Sequence, residues 1–317
     1  MEYYKTKSPV LFLIFNRPDV TKTVFEQIRI AKPAKLYIAA DGPRYDRENE
    51  EKLCQESRSI VDHIDWNCEI KTLFRAENLG CKNAISSAID WFFENEEEGI
   101  ILEDDCLPAN SFFFFCDTLL EKYRNDSRIR HIAGCNLQMG KTWGEASFYF
   151  SHLTAVWGWA TWKRVWKDYD KELSIYNEDE IDLQLRKIFS DPFLITSWEN
   201  IFRDLKAGKI DTWDYQLAFL NYFNNSLSIN PNVNLISNIG FGKEATHTIS
   251  TNHPYSKLPL SEIDEIIYPK YMLPERDADY AMFAKDHNLE EKWRKHNLLR
   301  RRFKRWIKQK LNTQHSE

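Results

Sequence analysis

The chain has 317 residues, 43% apolar and 14% aromatic with 11 Trp, enough for one large α/β domain or two modest ones. Its net charge of −5 hides a split: ten of the 43 Lys and Arg residues lie between Lys292 and Lys310 with no acid among them, leaving 33 basic against 48 acidic residues and a body at −15. An acidic body argues against nucleic-acid binding, no run approaches the roughly 18 apolar residues of a membrane span, and residues 1–9 carry no signal-peptide core.

Val10–Phe15 is an apolar run of strand length closed by Asn16-Arg17-Pro18, and Val20, Val24, Phe25 and Ile28 follow at helical spacing. Leu36–Ala40 is a second strand, ended by the turn signal Asp41-Gly42-Pro43. A polar helix over 46–59 leads to a third strand at Glu69–Phe74. Asn78-Leu79-Gly80 then opens a helix with Ala84, Ile85, Ala88, Ile89 and Phe92 on one face. The fourth strand, Gly99–Leu102, ends on Glu103-Asp104-Asp105. Four strands alternating with three helices predict a parallel sheet wound right-handedly.

The second half is less regular. A helix is expected over 112–123, strands over 129–133 and 148–150, then the Trp/Gly-rich loop WGWATW from Trp157. Helices follow over 180–189, 194–205 and 213–223, then a strand over 227–236 and the loop Gly240-Phe241-Gly242 leading to His247. Six Cys with no C-x-x-C pair read as reduced thiols of a cytosolic chain. The expected fold class is α/β, with a mixed, mainly parallel sheet flanked by helices.

Three consecutive carboxylates are costly at the end of a buried strand unless something compensates them. In an α/β sheet the C-terminal strand ends form the ligand crevice, where acids commonly hold a hard cation and through it an anionic substrate. If the rim binds a nucleotide-activated sugar, Asp105 is the candidate ligand for Mg²⁺ or Mn²⁺, Asp104 a candidate acceptor for a ribose hydroxyl and Glu103 a candidate contact to a donor-sugar hydroxyl. Asp41 is a candidate partner for a base, its plainer role being a cap on its own turn. Asn16 and Arg17 are candidates for base or phosphate, with an N-cap as the alternative for Asn16. Asn78 and Lys82 flank a helix start whose free N–H groups favour anions. Asp214, in the first turn of a helix, is the candidate general base, with Asp211 as competitor. Trp157, Trp159 and Trp213 are candidates for packing on sugar faces, core packing being the ordinary role of each. His247 is a candidate metal or diphosphate ligand.

Taken in order, VLFLIFNRP, LYIAADGP, NLGCK and GIILEDDCLP resemble the nucleotide half of the GT-A glycosyltransferases, with Glu-Asp-Asp in the place of the D-x-D motif. The likeness is closer to the N-acetylglucosaminyltransferase I-like branch and to bacterial transferases of surface polysaccharide, where a Trp/Gly-rich loop and an acid after Trp follow, as in WGWATW and TWDYQ. It covers about residues 8–250. The resemblance implies an inverting, metal-dependent transfer from a nucleotide sugar, a UDP-sugar by preference, to a saccharide or lipid-linked saccharide. It also implies Asp105 on the metal, Glu103 and Asp104 on sugar and ribose, Asp41 on the base, and Asp214 as base; His247 is carried over as a C-terminal metal or diphosphate ligand. The eukaryotic branch has paired acids where this chain has the single Asp214 between Trp213 and Tyr215.

The expected organisation is a domain over 1–250, split into a nucleotide half (1–106) and an acceptor half (107–250), an extension over 251–291, and a basic amphipathic tail over 292–317. The tail is expected either to attach a cytoplasmic protein to an anionic inner membrane face or to be a disordered or body-docked segment. The other functions weighed are a retaining transferase, a non-catalytic carbohydrate-binding module and a sugar-1-phosphate nucleotidyltransferase. The last needs a Gly- and Lys/Arg-rich loop that NRPDVTK does not supply.

Overall fold

The computed structural model describes residues 3–241 and 254–313. β1 (Val10–Ile14) runs into α1 (Pro18–Ala31), whose proline sits at the first helical position where its missing N–H is harmless. β2 (Lys35–Ala40) is followed by α2 (Glu50–Arg58) and a 3-10 turn at Ser59–His63, and then by β3 (Glu69–Phe74) and α3 (Gly80–Asn95). β4 (Glu98–Glu103) and the short β5 (Cys106–Pro108) precede α4 (Asn110–Tyr123), β6 (Ile129–Ala133) and β7 (Phe148–Ser151). β8 (Trp159–Trp162), α5 (Lys163–Trp166), α6 (Ile181–Ile188), α7 (Pro192–Lys206) and α8 (Asp214–Phe223) follow. β9 (Leu227–Pro231), β10 (Ile236–Asn238), α9 (Arg276–Asp286), α10 (Leu289–Asn297) and α11 (Leu299–Thr313) complete the described chain.

Eight strands form one mixed sheet in the order β3-β2-β1-β4-β8-β6-β9-β7, with β10 and β5 as a separate antiparallel pair. β3, β2, β1 and β4 are parallel, and β8 enters antiparallel between β4 and β6. Because β1 is flanked by both β2 and β4, the strand order reverses beside it, and its C-terminal end lies at the switch point where α/β sheets open a crevice. Helices α1 and α4 cover one face, where Phe12, Phe25, Phe112, Phe115 and Ile229 meet. Helix α3 and the start of α8 cover the other, with Leu11, Ile89, Phe92, Trp159 and Trp213 in contact. A satellite core packs α6, α7, α8 and α9 around Trp198, Phe202, Phe219 and Phe283.

Two expectations of local structure are corrected. The segment after Gly158 is a strand with all four residues of β8 buried, because both neighbours cover it and its ladder pairs on either side. Residues 227–236 are two strands: Pro231 ends β9, and the chain crosses to pair β10 with β5. All six cysteines are free thiols. Among the described residues no helix is long and apolar enough to cross a membrane.

Candidate functional site

The parallel register aligns Leu13 with both Ala39 and Glu103, so the residues after β1, β2 and β4 emerge at one edge. A cleft of about 400 Å³ opens there. Its apolar floor includes Leu13, Ala39, Ala84 and Ala88, and its polar walls carry Arg17, Asp41, Arg44, Arg75, Asn78, Glu103, Asp104, Asp105 and Asp211. Small residues on facing positions of β2 and α3 leave the room; larger ones would fill it.

The triplet is compensated from within the chain. Arg17 Nη2 hydrogen-bonds an Asp104 oxygen and donates to Asp105 Oδ2 at 3.0 Å. Asp104 is 3% exposed and also accepts the Phe15 N–H at 3.3 Å. Burial pushes its carboxyl up to about 6, against the pull of Arg17. Glu103 faces the cleft with no protein hydrogen-bond partner for its carboxyl among the described residues. Burial, then the charges of Asp105, Asp104 and Asp214, hold its pKa well above the usual carboxylate range. The β5–β10 pairing closes the site from above: Ile239 N–H donates to the Asp105 carbonyl at 2.9 Å, which lays Gly240 on the Arg17–Asp105 pair. A Cβ at Gly240 would meet Asp105 Oδ2 at 2.2 Å and Arg17 Nη1 at 2.6 Å.

At the opposite wall two carboxylates fill the start of α3. Asp41 accepts the Gly42 N–H at 2.9 Å, the Leu79 N–H at 3.0 Å and Asn78 Nδ2 at 2.9 Å. Burial raises its pKa, opposed by those backbone donors. Asp211 accepts the N–H groups of Cys81 at 2.9 Å and Lys82 at 3.0 Å. Gly80, at φ +77°, permits this approach, since a Cβ there would lie 2.8 Å from Asp211 Oδ2. The expectation that these N–H groups are free for an external anion is therefore corrected: Asp211 already occupies them.

Of the expected residues, the cleft brings together Arg17, Asp41, Asn78, Glu103, Asp104, Asp105 and Trp157. Asn16 neither lines it nor caps α1, whose N-cap is Arg17; its Nδ2 donates to Glu50 at 2.8 Å. Lys82 points away to Glu172 at 3.0 Å. Trp159 and Trp213 are 1% and 3% exposed and stack on one another at 5.6 Å, so neither offers a face to a sugar. Trp157 is half-buried at the mouth, edge-on to Phe241 at 5.7 Å. Asp214 accepts the Thr212 hydroxyl at the start of α8 and does not line the cleft. His247 lies outside the described residues.

Three polar cleft residues, Arg44, Arg75 and Asn238, escape a sequence reading that collects polar strand ends after β1, β2 and β4 alone. Arg75 directly follows β3, so the same rule applied to that strand finds it. Arg44 follows the Asp41-Gly42-Pro43 turn; its Nε is 3.0 Å from Glu50, and its guanidinium lies 5.6 Å from the Phe15 ring centre.

No family model and no curated protein matches the sequence. Among solved structures, the chain is similar to S. aureus TarS 1-349 at 11% identity and TM-score 0.36, over 52% of this chain and 49% of that one, about half its length. It is similar to HddC from Yersinia pseudotuberculosis at 11% and 0.33, over 51% and 80%. A third similarity is to UDP-glucose pyrophosphorylase complexed with UDP-glucose, at 12% and 0.39, over 71% and 90%. All three are partial similarities, with TM-scores below 0.4.

Proposed function

We propose that the cleft binds a nucleoside-diphosphate sugar and that the chain transfers the sugar to a saccharide or lipid-linked hydroxyl. The observation that carries this is the meeting of Glu103, Asp104 and Asp105 with Arg17, Arg44 and Arg75 at the β1/β4 switch point. Acids there suit a cation and sugar hydroxyls, while the guanidinium groups suit a diphosphate. A UDP-sugar is the preferred donor.

Among the described residues no three His, Cys, Asp or Glu side chains are grouped to enclose a metal. The donor set still fits Mg²⁺ or Mn²⁺ held by one or two carboxylates with phosphate oxygens and water completing the shell. Asp105 would hold that ion, with Arg17 shifting toward the diphosphate. The bound ion would neutralise charge developing on the leaving diphosphate.

The residues then divide the work. Glu103, whose carboxyl has no hydrogen-bond partner among the described residues, hydrogen-bonds a donor-sugar hydroxyl. Arg17 and Arg75 orient the diphosphate. Asp214 accepts the proton of the acceptor hydroxyl as its oxygen bonds the anomeric carbon and the bond to the diphosphate breaks. Asp211 is less suited to that role, because both its oxygens already accept α3 backbone donors.

A nucleotidyltransferase reading is disfavoured because only Phe15, Asn16 and Arg17 separate β1 from α1, leaving no glycine-rich loop for a triphosphate. The test is a panel of UDP- and GDP-sugars with Mn²⁺, set beside sugar-1-phosphates with nucleoside triphosphates. Release of UDP from one sugar nucleotide supports the proposal; turnover confined to the second set replaces it.

A further inference from the structure

We propose that α11 is a lipid-surface element that seats the protein on anionic headgroups. The helix before it is firmly docked. Leu289 is fully buried, Trp293 Nε1 donates to Asp191 at 2.7 Å, and Lys292 Nζ donates to Ser197 Oγ at 2.7 Å. At Leu298 (φ −52°, ψ 129°) the chain turns out of α10, and Arg305 pins the new helix by donating to the His296 carbonyl. Past that point the described side chains are exposed except for Arg305, and among the described residues the last ion pair along the chain is Lys295–Glu291.

What α11 presents instead is an apolar stripe. Leu299 is 81% exposed, Phe303 61%, Trp306 54% and Ile307 38%. At about 100° per residue these four fall within an arc of roughly 100°. Arg300, Arg301, Arg302, Lys304 and Arg305 take the rest of the circumference.

The two features together select the partner. A nucleic acid would use the charge and leave the stripe in water. A second copy would use the stripe and force two strongly basic helices together. An anionic bilayer surface accommodates both, with the rings and Leu299 below the headgroups and the basic side chains reaching up to the phosphates. The body at −15 is repelled by the same surface, so the contact is confined to this helix.

The test is sedimentation of the full chain with vesicles of pure phosphatidylcholine or its equimolar mixture with phosphatidylglycerol. Partition onto the mixture is expected to exceed that onto the neutral lipid by at least about ten-fold. The Phe303→Ser/Trp306→Ser double variant, which keeps every charge, is expected to lose about ten-fold. Its thermal melt should match the parent, because both side chains are exposed. Equal partition on the two lipids, or a double variant that binds like the parent, overturns the proposal. So does a parent that ignores vesicles while shifting RNA or dimerising through the same two residues. The readout is lipid partition alone, so its outcome is separate from the chemistry of the cleft.

Discussion

Arg17 Nη2 lies 3.0 Å from Asp105 Oδ2, and the same nitrogen bonds Asp104. The acids at the end of β4 are thus held by a cation that precedes Pro18 in the chain. If the cleft binds a diphosphate as proposed, that ligand would compete for the guanidinium and couple donor binding to the charge state of the triplet. Arg17 is itself largely buried, so removing it leaves Asp104 without its partner. Arg17→Ala is expected to cost about 3 kcal/mol at neutral pH, measured by urea unfolding. Calorimetry should show Mn²⁺ binding more tightly to the variant than to the parent when nucleotide is absent. A variant as stable as the parent with unchanged Mn²⁺ affinity would show that the pair compensates nothing.

Gly240 tests the cover over that pair. Its Cβ would also lie 2.6 Å from Asp105 Cβ, so swinging a flexible side-chain end aside cannot relieve the clash. Gly240→Ala is expected to leave the melting temperature within a few degrees and weaken UDP–Mn²⁺ affinity by at least about ten-fold, since sub-ångström placement governs such sites. Unaltered affinity would mean that the β10 loop is a bystander.

Asp211 and Asp214 are three residues apart and should fail in different ways. Asp211→Asn weakens the cap on α3, with an expected stability loss of about 1 kcal/mol and transfer reduced only in part. Asp214→Asn removes the proposed proton acceptor, with transfer falling by at least about 100-fold while UDP affinity and unfolding midpoint hold. The reverse pattern would transfer the role to Asp211.

The contrast between β4 and β8 shows what the sequence makes legible. β4 ends on acids and β2 on Asp41-Gly42-Pro43, so punctuation marks both the strand and the crevice side of its end. Trp159–Trp162 carries no such mark: Gly158 suggests a loop, and burial between β4 and β6 gives a run of aromatic and small residues without alternation. For the same reason Trp159 and Trp213 look like sugar platforms in sequence and are core in the fold. That Asp211 rather than Asp214 caps α3 depends on a contact between residues 130 apart, Cys81 and Asp211, that no local pattern encodes.

His131 provides a pH test away from the cleft. It is fully buried in β6, stacked on Trp159 at 5.1 Å, with Nε2 2.8 Å from the Ala155 carbonyl and, among the described residues, no partner for Nδ1. That arrangement suits a neutral ring donating from Nε2, and burial lowers its pKa from 6.5 to about 4. Between those values the unfolded chain binds the proton and the folded one does not. This stabilising contribution is therefore present above pH 6.5 and lost as pH falls toward 4, by about 3 kcal/mol in all. His287, also lowered to about 4 by burial and then by Lys292, contributes with the same sign. The carboxyls of Asp104 and Glu103, raised by burial, act with the opposite sign over this range, so the check is differential: relative to the parent, His131→Asn, though less stable overall, should lose less stability as pH falls from 6.5 toward 4. An imidazole resonance of His131 titrating near 6.5 in the folded protein would refute the assignment, because a ring that protonates freely there cannot oppose acid unfolding.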